Sequence, residues 1–148
     1  MLSTIGAHLY LLGGFDGYDC LREVERVDLT TQESQSLKSL SHPIKNGVSY
    51  ANPRDGKIYL IGGWDEKETQ DKVFMYDPKS QETRFVSHLP YKVEAHTVAV
   101  FEESNLLFII GGFDGFGVVD TIIKVDLNTW ESQVLGTRLQ YKRENLTC

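Results

Sequence analysis

An all-β fold of three tandem β-propeller blades, each of four short antiparallel strands, is what this sequence predicts. Three observations carry it. Gly-Gly occurs at Gly13-Gly14, Gly62-Gly63 and Gly111-Gly112, 49 residues apart both times. An aromatic-Asp pair follows each one (Phe15-Asp16, Trp64-Asp65, Phe113-Asp114), and Asp28, Asp77, Asp126 and then Glu33, Glu82, Glu131 keep the same register. Short apolar runs stop abruptly at the glycines, as buried strands do, and no segment holds a helical period over three turns. Four strands in a unit of this length make one propeller blade.

The elements follow in order within each repeat. The first strand is read at Val48-Ser49-Tyr50-Ala51 and Thr97-Val98-Ala99-Val100. A turn follows it at Asn52-Pro53-Arg54-Asp55-Gly56; Asn105 holds the place of Gly56, and both residue types tolerate a left-handed backbone. The second strand is Leu9-Tyr10-Leu11-Leu12, Ile58-Tyr59-Leu60-Ile61 and Phe108-Ile109-Ile110. The third spans 23–29, 72–77 and 121–127, and the fourth 34–37, 83–86 and 132–135. Repeat one covers about 1–47, repeat two 48–96 and repeat three 97–145, with 146–148 starting a further first strand. At this constant spacing Met1 and Cys148 both fall on Tyr50, so the first blade is expected to lack the start of its first strand.

Composition narrows the function classes. The chain has 148 residues, 41% hydrophobic and 24% charged, with a net charge of −6. Its longest basic cluster is Lys142-Arg143, which argues against a nucleic-acid partner, since phosphate binding needs a basic patch. No apolar run of membrane-spanning length exists. The first residues lack a basic segment and look strand-like, so no signal peptide is expected. Cys20 and Cys148 form no C-x-x-C pair, which points to a reducing, cytoplasmic setting. Asn145-Leu146-Thr147 matches a glycosylation triplet that no secretion signal accompanies.

The Gly-Gly after the second strand and the Asp closing the third resemble the kelch family, and the resemblance covers essentially the whole chain. One departure stands out. Kelch blades usually carry Trp six residues after that Asp, where this chain has Ser34, Thr83 and Ser132, with Trp130 two residues early. Packing between blades is then expected from Phe85 and Leu135. The resemblance implies a protein-binding propeller, either the substrate-recognition part of a ubiquitin-ligase adaptor or an actin-binding scaffold. It implies that a loop rim grips a protein or peptide. That rim comprises the loops 15–22, 64–72 and 113–120 together with 41–47, 90–96 and 139–145.

Candidate contact residues are Tyr18 and Trp64 in the first loop set. In the second set, two columns change identity while their neighbours repeat: Lys45, Glu94, Arg143 and then Gly47, His96, Asn145. Such columns are either drifting surface or ligand contacts. The recurring Asp residues read as turn caps, and Phe15, Trp64 and Phe113 as packing between blades. No catalytic or metal site is expected. The four histidines show no H-x-x-x-H pattern and no glycine-framed nucleophile appears. Some kelch-like propellers are copper oxidases, and this chain lacks residues that map onto that chemistry. No cofactor is expected. Three blades leave edges open. They read either as part of a longer propeller or as a homodimer closing a six-blade ring, each tail completing the partner's first blade.

Overall fold

The computed structural model describes residues 1–145. Twelve strands form three separate four-stranded antiparallel sheets. Blade one is β1 (Leu2–Ile5), β2 (His8–Phe15), β3 (Cys20–Asp28) and β4 (Ser34–Leu37). Blade two is β5 (Val48–Asn52), β6 (Lys57–Ile61), β7 (Lys72–Asp77) and β8 (Glu82–His88). Blade three is β9 (Thr97–Phe101), β10 (Leu106–Ile110), β11 (Thr121–Asp126) and β12 (Ser132–Arg138). Within each sheet the strands pair in chain order. Asn105 adopts φ 54° where Gly56 has φ 67°, so the two turns share one left-handed position.

The hydrophobic core lies between blades, because a sheet buried on both faces must find a partner on each side. Tyr10, Leu12, Val24, Leu40 and Ile44 of blade one meet Ile58, Leu60 and Tyr76 of blade two. Tyr59, Ile61, Val73, Leu89 and Val93 of blade two meet Leu107, Ile109, Ile123 and Val125 of blade three. The alternation along β6 therefore serves two seams at once: Ile58 and Leu60 face back, Tyr59 and Ile61 face forward.

The Gly62-Gly63 pair sits where two loops crowd the end of the second strand. A Cβ on Gly62 would lie 2.3 Å from the Val93 carbonyl of its own blade's outgoing loop. A Cβ on Gly63 would lie 2.7 Å from the Lys45 carbonyl of the loop arriving from blade one. Both have positive φ, 55° and 100°. Gly112 repeats the second contact, 2.6 Å from the Glu94 carbonyl, whereas a Cβ on Gly14 would meet nothing among the described residues.

Three expectations are corrected. First, blade one has a whole first strand. β1 and β2 are joined by Gly6-Ala7 alone, whereas four residues separate β5 from β6. Met1 thus stands at the Val48 position: its ammonium donates to the Leu12 carbonyl (2.8 Å) and its carbonyl accepts from the Leu12 amide (2.9 Å). No strand start is missing for a tail to supply. The proposed further strand at 146–148, with Cys148 and most of the glycosylation triplet, lies outside the described residues.

Second, the third repeat carries one extra residue. Lys72 pairs with His88 and Phe74 with Phe85, whereas Thr121 pairs with Arg138 and Ile123 with Val134. The extra residue falls in Leu135-Gly136-Thr137, so everything after it shifts by one. Third, Phe85 does not pack between blades. It is 52% exposed and meets only its own blade's Phe74 and His88 edge-on or tilted. Trp130 fills that role: it is buried and stacks on Tyr59 of blade two, ring centroids 4.1 Å apart.

Two outcomes follow from this packing. Gly63→Val and Gly112→Val should each lower the melting temperature by roughly 6–12 °C, since about 3 kcal/mol of strain shifts a chain of this size by about 2–4 °C per kcal/mol. Gly117→Ala, with open space around it, should leave the melt unchanged. Trp130→Ala should cost about 3–5 kcal/mol in chemical denaturation, with Phe85→Ala far below that.

Candidate functional site

The loops leaving the second strands and the loops entering the next blade meet at one rim. Lys45 and Trp64 exchange two backbone hydrogen bonds (3.0 and 2.8 Å), and so do Glu94 and Phe113 (2.9 and 2.8 Å). A further backbone chain steps across the blades: the Ala95 amide donates to the Asn46 carbonyl and the Asn145 amide to the Ala95 carbonyl, both 2.7 Å. Asn46, Ala95 and Asn145 all have φ between 52° and 56°. Asn145 therefore belongs to the Asn46 column. Arg143 likewise falls where Ile44 and Val93 stand, since the Gly112 amide donates to its carbonyl as Gly14 and Gly63 donate to theirs. The columns expected at constant spacing are thus off by one in blade three. Glu144 is the counterpart of Lys45 and Glu94, and both Arg143 and Asn145 are exposed.

Turns with an Asp clamp project the loop tips. Asp16 Oδ1 accepts from the amides of Tyr18 and Asp19, both 2.8 Å. Asp65 and Asp114 hold Lys67-Glu68 and Phe116-Gly117 in the same way. Those backbone donors hold the Asp16 and Asp114 carboxyls below their ordinary range. Asp28, Asp77 and Asp126 clamp the opposite turns similarly. The residue each rim clamp presents is Tyr18, Lys67 or Phe116. Tyr18 is 91% exposed and Phe116 96%.

The other candidates divide. Lys45 Nζ lies 4.1 Å from the Phe15 ring centre and 4.8 Å from that of Trp64, so its charge is shared between two rings. Phe15 is accordingly exposed at the rim rather than packed between blades. Glu94 uses both oxygens internally, accepting from Asn46 Nδ2 (2.9 Å) and Thr69 Oγ1 (2.8 Å), which ties three loops together. His96 is corrected as a contact residue. It is 4% exposed, wedged between Gly62 and Gly112, and neither ring nitrogen has a partner among the described residues. Burial pushes its pKa down to about 4.

A groove of about 320 Å³ runs between the blade-two and blade-three tips, lined by Trp64, Lys67, Thr69, Lys92, Glu94 and Phe116 among others. Lys92 and Glu68 pair across its edge. A larger groove of about 710 Å³ lies between β8 and β12 and is lined mainly by polar strand-edge residues. It offers none of the exposed aromatic rings found at the rim. Phe116 escaped the reading of the sequence, which placed its loop, 113–120, in the rim without singling it out. The signal was available: Phe116 occupies the position of Tyr18 two residues after the clamp Asp. Among the described residues no three His, Cys, Asp or Glu side chains gather as metal ligands, and no helix is long and apolar enough to cross a membrane.

The Kelch motif model matches residues 2–41 and 54–86. No curated protein matches the sequence. Among solved structures, that of YjhT aligns with a TM-score of 0.81 at 15% identity, over 95% of this chain and 52% of that one. The chain thus spans about half the length of YjhT, and the likeness is one of fold.

The buried imidazole sets a pH dependence. Below pH 6.5 the unfolded chain takes up a proton that folded His96 refuses until about pH 4. Stability is therefore whole above pH 6.5 and falls by about 1.4 kcal/mol per unit as pH drops toward 4. Denaturant midpoints measured from pH 7.5 to 4 should show this slope, and His96→Gln should flatten it. An unchanged slope would assign the effect to other groups, of which half-buried His42 shifts in the same sense.

Proposed function

We propose, from the premise that this chain belongs to the kelch-repeat family, that it is a protein-binding module whose rim takes a peptide or loop of another protein. The observation that carries this reading is the pair of almost fully exposed aromatic rings, Tyr18 and Phe116, held on Asp-clamped turns of the rim, with Phe116 at the groove between blades two and three. An exposed aromatic is costly in water and carries large burial on binding, and a rigid turn lowers the ordering entropy. Kelch repeats serve protein binding in general, and the rim chemistry here agrees with that role. Lys67 and the Lys92–Glu68 pair add charges at the groove edge, which suit orientation and rate more than affinity.

The module acts by holding its partner, with no chemical step. Presentation of that partner to a ubiquitin ligase is the finer reading; it rests on family resemblance and requires a BTB, BACK or F-box region on the same polypeptide.

Peptides selected from a random displayed library against the chain supply the test. Phe116→Ala and Tyr18→Ala should each weaken their binding about tenfold or more, in the range of aromatic hot spots. Phe101→Ala, an exposed aromatic outside the rim loops, should leave binding intact. Selected peptides that bind all three variants equally would place recognition elsewhere.

A further inference from the structure

Asn46 and Ala95 share one column of the rim, so the residues after them correspond: His96 stands in the second seam where Gly47 stands in the first. Beside Gly47 there is little room, since a Cβ there would lie 3.0 Å from the Gly62 carbonyl and 3.1 Å from that of Ile61. The second seam holds an imidazole instead. Its Cε1 lies 3.1 Å from the place of a Cβ on Gly62, and its own Cβ 2.9 Å from the place of one on Gly112, so the ring reaches from blade three to the end of β6. It is 4% exposed, and both ring nitrogens lack a partner among the described residues. A neutral imidazole leaves one donor and one acceptor unpaired there. An imidazolium would leave two donors and a charge.

Among the described residues nothing around the ring would answer that charge. β6 presents Gly62, β10 leads into Gly112, and the preceding loop presents Val93, none of them ionisable. The ionisable side chains of that loop are spent elsewhere. Tyr91 bonds to Thr121, Lys92 pairs with Glu68, and Glu94 accepts from Asn46 and Thr69. On the loop leaving blade three, Arg143 and Glu144 are exposed, with Arg143 Nε on the Tyr141 carbonyl.

The segment just before the ring is the one that ties the rim. Glu94 and Phe113 exchange two backbone hydrogen bonds, and the Ala95 amide donates to the Asn46 carbonyl. Ala95 does so at φ 52°, a left-handed backbone that a residue with a side chain holds only under restraint. Glu94 and Phe113 also line the groove between blades two and three.

We propose that Glu94-Ala95-His96 is an acid-released latch: when His96 takes up a proton, the segment leaves Phe113 and Asn46, the ring passes into water, and the groove loses a wall while the blades stay folded. In water the ring binds a proton below its ordinary 6.5; seated, it does so only near 4. Acid therefore favours the open form throughout that interval. The latch can be read without any rim partner, so its failure and that of the protein-binding reading are distinguishable.

Amide exchange measured residue by residue by NMR from pH 7.5 to 4.5, corrected for the intrinsic pH dependence of exchange, is the test. The Glu94, Ala95 and Phe113 amides should lose protection about tenfold per pH unit below 6.5, while staying less protected than the strand amides of β6 and β11, which report whole-chain unfolding. Lys45 and Trp64 form the same bridge at the first seam, with Gly47 beside it. Their amides should show no such loss. His96→Leu and His96→Gln should each make the three latch amides independent of pH, and His42→Gln should not. Latch protection that is flat with pH, that equals the strand amides at every pH, or that still falls in both His96 variants would overturn the proposal. So would a parallel loss at Lys45 and Trp64.

Discussion

Every blade depends on a backbone approach that only glycine allows. At the end of each second strand, an amide of the Gly-Gly pair donates to the loop leaving the blade: Gly14 to Ile44, Gly63 to Val93, Gly112 to Arg143, at 2.8–2.9 Å. Gly13 and Gly62 lie against that outgoing loop, and Gly63 and Gly112 against the loop arriving from the preceding blade. A side chain at either place would push a carbonyl away and open the seam beneath. Ile44 and Val93 sit directly under these contacts, so the same approach that fixes the rim also seats the wedge of each seam.

The rim inherits its rigidity from this arrangement. Its loops are short, bridged pairwise by backbone hydrogen bonds and clamped at their tips by Asp carboxylates. Polar side chains that look free in the sequence are used within it. Glu94 holds Asn46 and Thr69, and Lys45 lies over Phe15 and Trp64. Tyr18 and Phe116 are the rings it leaves almost fully exposed, beside charged tips such as Lys67 and Arg143. A rigid scaffold that exposes rings suits binding through burial.

The seams show how repeats tolerate divergence. The motif Trp is absent after the third-strand Asp, yet Trp130, two residues earlier in a left-handed turn position, stacks across the second seam. In the first seam Gln81 takes the place of Trp130 and its side chain accepts from the Lys38 amide instead. Tyr76 supplies the buried ring there. Different residues fill equivalent space because a seam selects for volume and polar pairing rather than for one side chain.

By itself, the sequence determined the three blades, the order of their strands, the glycine columns and the Asp turn caps. Each depends on short-range chemistry repeated in register, so columns such as Gly13, Gly62 and Gly111 reinforce one another. The rim was legible too, because antiparallel strands in chain order put alternate loops on one side. Tertiary structure alone decided the rest. The short turn at Gly6-Ala7 and the extra residue near Gly136 broke the constant count, and only the hydrogen-bond register shows that Arg143 answers to Val93 and Met1 to Val48. Whether a rim residue is buried like His96 or exposed like Phe116 depends on what the neighbouring blade places against it. That is a contact between residues far apart in the chain, and a local pattern carries no record of it.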